Sequence, residues 1–427
     1  MNLSLDKIGA AISRSITENF FSANDNSVIF YDLEILRAKI EEVKHAFPTN
    51  ALHAIAIKAN PLSKILNRIS KWGMGAEAAS LPELYLAQKA GFPPHKIVFD
   101  SPAKTVPELE YALREGVYIN ADSFEELKRI DELLKKVDSM SKIGIRLNPQ
   151  AGAGAIVSSS TAGEYSKFGI PVIEFRDRII ESFINYAWLY GVHIHIGSQG
   201  CSGEMLLKGA EILKDFINEV NTVLAKKDPK RHISTIDIGG GLPVKYKAND
   251  ISLPVTDYAG GLRGIFEHIE NSEFKLITEF GRYVYANSGF VASRVEYVKS
   301  SSGIKTAIIH VGADLLLRRC YRPDDWYHEI SVLDSMGKPK TENNKQKYNI
   351  AGPLCFSGDM LASDIELPII EPRDIIVIHD TGAYTVSMWS RYNSRKMPKI
   401  IGINTTTEEF EIIKERENLN DLFKFWS

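Results

Sequence analysis

Gly239, Gly240 and Gly241 close the apolar run IDIGGG. Successive residues without side chains let backbone N–H groups approach a phosphate closely. The same three glycines also suit a tight turn that needs positive φ, and the sequence leaves both readings open. Lys58 ends another apolar run, HAIAIK. An amine at the end of a buried strand is desolvated, which lowers its pKa and frees it to form a Schiff base; the competing reading is an ordinary solvated lysine. A reactive lysine together with a phosphate cradle is the pair of features that pyridoxal 5′-phosphate (PLP) requires. Glu279, in EFGR, then gains a role, since a carboxylate facing the pyridine nitrogen keeps that nitrogen protonated. Its alternative is a structural ion pair with Arg282, three residues on. Arg282 offers a charged fork to a phosphate, and Gly281 separates it from Phe280. His195 and Ser198, in HIHIGSQ, supply a ring to lie on the cofactor face and a hydroxyl, although a lone histidine is more often a satisfied core residue.

These residues need elements that bring them together. Between residues 50 and 285, short apolar runs alternate with amphipathic stretches such as LPELYLAQKA and SFEELKRIDELLKK, whose apolar residues recur at spacings of three and four. The strand-like runs cover 51–58, 73–78, 96–100, 117–121, 142–147, 192–196, 235–238 and 276–279. Eight strand–helix units in succession predict a parallel (β/α)8 barrel rather than a doubly wound sheet, and KANP after the first strand is no dinucleotide fingerprint. In a barrel, function gathers at the C-terminal ends of the strands. Lys58, Glu77, His195, Ser198, Gly239–Gly241, Glu279, Gly281 and Arg282 all fall at such ends. After residue 285, runs rich in Val, Ile, Tyr and Thr predict an antiparallel β domain, a sandwich or small barrel. Residues 1–34 read as a helix followed by the strand SVIFYD, placed to pack with that C-terminal domain. The division is therefore 1–34, 35–285 and 286–427. The polar stretch 334–347 reads as an exposed loop or hairpin end.

Composition removes other classes of function. Of 427 residues, 51 are basic and 54 acidic, a net charge of −3, so no electrostatic case exists for nucleic acid. No run of about 18 apolar residues predicts a membrane span, and the first 20 residues lack the apolar core of a signal peptide. The expectation is a cytoplasmic protein. Its three cysteines, Cys201, Cys320 and Cys355, form no CxxC pair or disulfide framework, and no HExxH or P-loop is present, so no metal site is read. Taken alone, Cys355 reads as a small buried hydrophobe.

With these residues assembled, the chain resembles the fold-type III PLP-dependent decarboxylases, and within them the diaminopimelate decarboxylase branch. The resemblance runs through nearly the whole chain in order: AIKANP around Lys58, GAEAASLPEL at 75–84, RLNP at 146–149, SKFGI at 166–170, HIHIGSQ at 193–199, IDIGGG at 236–241, EFGR at 279–282, GPLCFSGD at 352–359 and HDTGAYTVSM at 379–388. It implies an alanine racemase/ornithine decarboxylase-like fold and a homodimer with shared active sites. Lys58 would carry PLP, and His195 would stack on its ring. Ser198, Gly239–Gly241, Gly281 and Arg282 would surround the phosphate, Glu279 would meet the pyridine nitrogen, and Tyr384 would reach the cofactor. Cys355 would enter from the second subunit and protonate the substrate carbanion. Arg318 would grip a distal carboxylate of the substrate, with Arg282 and Tyr384 also touching substrate. The activity implied is decarboxylation of meso-2,6-diaminopimelate to L-lysine and CO2.

The family motif around the cysteine is usually Cys-Glu-Ser, whereas Phe356 follows Cys355 here. That glutamate helps to hold the distal ammonium of diaminopimelate, and an ammonium buried against phenylalanine is left unpaired. Asp359, Glu329 and Asp324 are the candidate substitutes. The stretch RCYRPDDWYHEI after Arg318 also departs from the family pattern. Competing readings are the same chemistry on carboxynorspermidine, a D-amino acid or a siderophore or other specialised intermediate, and a non-catalytic regulatory homologue. The last would be expected to lose the lysine, the glycines or the cysteine, and all are present.

Overall fold

The computed structural model describes residues 3–156, 160–247, 249–250, 252–266, 274–341 and 344–427. The chain forms two compact units, one of residues 40–244 and 251–283, the other of residues 1–39, 245–250 and 284–427. The return of 245–250 to the second unit is not visible in the sequence.

In the first unit eight parallel strands close on themselves. They are Leu52–Ala56, Gly75–Ala78, Ile97–Asp100, Tyr118–Ala121, Ile143–Asn148, Leu189–Ile194, Thr235–Asp237 and Lys275–Thr278. Each pairs with the next, and the eighth pairs with the first. A two-residue strand, Ile170–Pro171, adds to the C-terminal end of the fifth. Helices cover the outside of such a barrel and side chains fill its inside, so nearly every strand residue is buried. This is why the strands read as continuous apolar runs. Helix starts are coded locally: Thr105 and Glu108 form a reciprocal capping box for Val106–Glu115, and Ser80 and Ser123 accept from the backbones of Glu83 and Glu126. Helices Leu33–Ala46 and Ser63–Lys71 add to those read from the sequence.

The second unit carries a nine-stranded sheet. It is mixed rather than purely antiparallel: Ser27–Asp32 runs parallel to Lys399–Asn404, and Ile304–Ile309 runs parallel to Lys345–Ala351. Ser27–Asp32 lies inside this sheet, antiparallel to Gly289–Ser301 on its other side. Helix Leu5–Thr17 packs Ile8 and Ile12 into a core with Phe21, Phe30, Phe290, Val377 and Ile401. The rings of Phe30 and Phe290 stack 4.8 Å apart across the strand pair. Residues 345–347, expected in a loop, begin a strand that pairs with Met360–Pro368.

Candidate active site

Lys58 is not the last residue of its strand. The strand stops at Ala56, and Lys58 sits in a 3-10 turn, Ile57–Ala59, at the barrel's C-terminal rim. Nor is its side chain fully desolvated: it is 37% exposed, with Nζ 2.7 Å from Oε2 of the fully buried Glu77. Burial pushes the Glu77 carboxyl up to about 8, against the pull of the Lys58 ammonium and with the push of Glu279 and Asp100. Gly281 fits tightly against the lysine turn. A Cβ there would lie 2.9 Å from that of Ala59 and 3.0 Å from that of Ala56, so the exit of the eighth strand can pass Lys58 only as glycine.

Glu279 is 3% exposed, and its Oε1 has no hydrogen-bond partner among the described residues. Burial would raise its pKa, but His193, with Nε2 3.5 Å from Oε2, leads the groups that bring it below the usual carboxylate range. His193 is completely buried, and its other nitrogen lies 3.8 Å from Asp100. Asp100 in turn accepts from Arg146 Nη1 at 2.9 Å. Asp237, also buried, accepts from the Gly239 N–H and the Asn120 amide; burial, with Glu279 nearby, pushes it up to about 8. The sequence reading passed over Asp100, Arg146, His193 and Asp237. Their signal was present: a charged side chain inside a strand buried on both faces, as in IVFD, IGIRLN, GVHIHI and TID.

The three glycines serve first as a turn. Gly239 and Gly241 adopt φ of 64° and 106°, and a Cβ on Gly240 would strike the Glu279 carbonyl. Two of their N–H groups are engaged inward, Gly239 to Asp237 and Gly240 to Nδ1 of His195 at 3.0 Å. The cradle predicted from three N–H groups is therefore smaller than expected. The Gly240 bond also defines His195: a ring nitrogen that accepts carries no proton, and burial with Lys58 and Arg146 nearby pushes its pKa down to about 3. Arg282, 5% exposed, donates from Nε to Ser198 Oγ at 3.3 Å, so strands six and eight bring a guanidinium and a hydroxyl to one place.

In the second unit, the Arg318 guanidinium is held between two rings, 4.7 Å from Trp326 and 4.8 Å from Tyr384. Tyr384 takes a φ of 57°, a conformation that costs a non-glycine residue energy and is common at functional sites. Cys355 is exposed, not buried. Its backbone N–H donates to Asn393 Oδ1 at 2.7 Å, and its carbonyl accepts from the Tyr392 hydroxyl. Phe356 stacks on Tyr321 at 5.6 Å and meets Tyr392 edge-on at 6.2 Å. Asp359 cannot replace the missing glutamate, because its carboxylate is buried and accepts the N–H groups of Ala313 and Leu354. Glycine at 312 and 352 makes room for it. Glu329 and Asp324 remain exposed.

Residues 33–286 match the family model of the pyridoxal-dependent decarboxylase pyridoxal-binding domain, and residues 282–382 match that of the C-terminal sheet domain. The chain belongs to the pyridoxal-dependent decarboxylases. Among its relatives is the diaminopimelate decarboxylase of Helicobacter pylori strain J99, 30% identical over 95% of this chain and 97% of that protein. The enzyme of the same name from Methanothermobacter thermautotrophicus is 32% identical over 86% and 83%. The crystal structure of the H. pylori enzyme complexed with L-lysine superposes with a TM-score of 0.84 at 28% identity, covering 96% of this chain and 99% of that one. The M. jannaschii enzyme, also with L-lysine, gives 0.83 at 27%, covering 97% and 93%. This decarboxylase is thus a PLP-dependent carboxy-lyase with the barrel-and-sheet fold of its family. Its barrel suits that cofactor on physical grounds: an amine, a buried carboxylate oxygen without a partner, and a guanidinium–hydroxyl pair stand past the ends of the first, eighth and sixth strands on one rim. Among the described residues no helix is long and apolar enough to cross a membrane.

Proposed function

We propose that this decarboxylase converts meso-2,6-diaminopimelate to L-lysine and CO2, as a cytoplasmic homodimer whose active sites are shared. Relatives named diaminopimelate decarboxylase align over almost the whole chain, and two structural relatives hold L-lysine, the product of that reaction. The observation that carries the chemistry is the grouping of Lys58, Glu279, His195, Ser198 and Arg282 on one barrel rim. When bound, PLP supplies an electron sink for the pair left on Cα as CO2 departs. Lys58 holds it covalently. Glu279 offers its unpartnered Oε1 to the ring nitrogen, and neutral His195 covers one ring face without adding charge. Arg282, Ser198 and the Gly241 N–H face the phosphate, with Gly239 and Gly240 setting the turn. In the 286–427 domain, Arg318 is pre-oriented by Trp326 and Tyr384 to take the distal carboxylate. Cys355, exposed on its loop, reaches across the dimer and returns a proton to Cα.

A second reading rests on Phe356. The ring that follows Cys355 is packed between Tyr321 and Tyr392, and Asp359 is already committed, so this loop offers the distal ammonium of diaminopimelate no carboxylate and favours the same chemistry on another amine held differently. The deciding experiment is CO2 release and product identity from PLP-loaded protein offered meso-diaminopimelate, L- and D-lysine, ornithine, arginine and carboxynorspermidine. Efficient lysine formation from diaminopimelate supports the first reading. Turnover of another amine with silence on diaminopimelate supports the second.

A further inference from the structure

His193 lies on the sixth strand and His195 just past its end, and both rings face Glu279, with ring nitrogens 3.5 and 3.9 Å from Oε2. Their other neighbours differ. His195 accepts a backbone N–H and has Lys58 and Arg146 nearby, so it is neutral. His193 sits lower, fully buried, with a carboxylate at each ring nitrogen: Asp100 Oδ1 is 3.8 Å from Nδ1, and Glu279 Oε2 is 3.5 Å from Nε2. Neither nitrogen is hydrogen-bonded among the described residues, but a carboxylate on each side favours an imidazole with both nitrogens protonated and positively charged. The other charged groups around it are accounted for. Asp237, from the seventh strand, is pushed up to about 8 by burial and adds negative charge only as it ionises above that; Arg146, from the fifth, is bound to Asp100; Lys104 is paired with Glu126. Burial alone would strip the proton from His193, yet its neighbours hold it up to about 9.

We propose that His193 is a positioning residue, an imidazolium wedged between Asp100 and Glu279 that keeps Glu279 anionic and oriented toward the cofactor's ring nitrogen. This rests on the reading of Glu279 as that nitrogen's partner. Two carboxylates so close in a dry barrel repel each other, and without a cation between them one takes up a proton. A protonated Glu279 could not hold a proton on the pyridine. His193 therefore acts on the cofactor's electronics without touching it. Arg146 anchors the far side of the array, so the chain Arg146–Asp100–His193–Glu279 alternates in sign from the fifth strand to the eighth.

Two measurements test this. In 15N spectra of histidine-labelled wild-type holoenzyme, His193, assigned by its shift in Glu279→Gln protein, should be doubly protonated at pH 7.5. A neutral His193 overturns the proposal. In holoenzyme carrying PLP labelled at the ring nitrogen, His193→Asn should lose the ring proton at a lower pH than wild type. Its kcat should fall about tenfold or more, the scale of one charge-assisted contact, with KM little changed. The same substitution made in a Glu279→Gln background should add almost nothing. A His193→Asn enzyme with a wild-type ring-nitrogen titration and kcat overturns the proposal. Failure of the wider functional reading looks different: the wild-type chain would attach no borohydride-reducible PLP. Failure of this inference leaves that attachment normal.

Discussion

Lys58 is prepared less by dryness than by a neighbour. Its ammonium is partly open to solvent, and Glu77 beneath it is the buried member of the pair. The Lys58 Nζ donates to Glu77 Oε2 at 2.7 Å, so the carboxyl fixes where the amine stands for covalent attachment. Lys58→Ala should bind PLP only reversibly, with no borohydride-reducible adduct; mass spectrometry of the reduced protein checks this, and an adduct on another lysine would refute the assignment. Phe356 invites the opposite manipulation. If diaminopimelate is the substrate, Phe356→Glu should lower its KM about tenfold, the worth of a charged hydrogen bond, while kcat changes little. Steady-state kinetics decide it, and an unchanged or higher KM would place the distal ammonium elsewhere.

At the scale of elements, the barrel was legible because parallel strands covered on both faces read as unbroken apolar runs, and serine and threonine caps mark the helix starts between them. The rim was less legible. Periodicity could not show that the first strand yields to a 3-10 turn at Ile57, because Ile57 is as apolar and buried as the strand before it. The parallel pairing of Ser27–Asp32 with Lys399–Asn404 depends on partners more than 360 residues away, and nothing local encodes it. The turn Gly239–Gly241 was legible from its glycines, with cradle and tight turn both left open, and its positive φ angles and two inward N–H bonds show the turn. That gives a clear expectation for Gly240→Ala. Its new methyl would meet the Glu279 carbonyl and push the seventh and eighth strand ends apart. Overpacking of this kind costs about 1–3 kcal/mol, so the melting temperature should fall and PLP should bind more weakly, both readable in one thermal titration with added cofactor.

For the whole molecule, the charged interior of the barrel and the proposed dimer make two demands that separate residues cannot. If Cys355 serves the site of a second copy, then Lys58→Ala and Cys355→Ala proteins, each nearly inactive, should regain activity when unfolded and refolded together. Random pairing should restore about a quarter of wild-type activity per site, because only mixed dimers contain one intact site and they form half of the population. No recovery would mean that each chain completes its own site. The second demand is on pH. His193, Glu77 and Asp237 all titrate higher in the folded barrel than in an unfolded chain, at about 9, 8 and 8. Between pH 6.5 and 9 the native state therefore binds protons that the unfolded state has released. Stability held below the unfolded values must then be lost as pH climbs toward the folded ones, with each extra proton bound natively contributing a slope of about 1.4 kcal/mol per pH unit. His195, pushed down to about 3, has the opposite sign, but its window closes by pH 6.5 and it cannot offset this decline. Thermal melts of PLP-saturated protein from pH 6.5 to 9 should show a falling melting temperature, and His193→Asn should flatten the slope, most clearly above pH 7. A flat profile in the wild-type protein would mean that these buried groups do not retain their protons as their surroundings require.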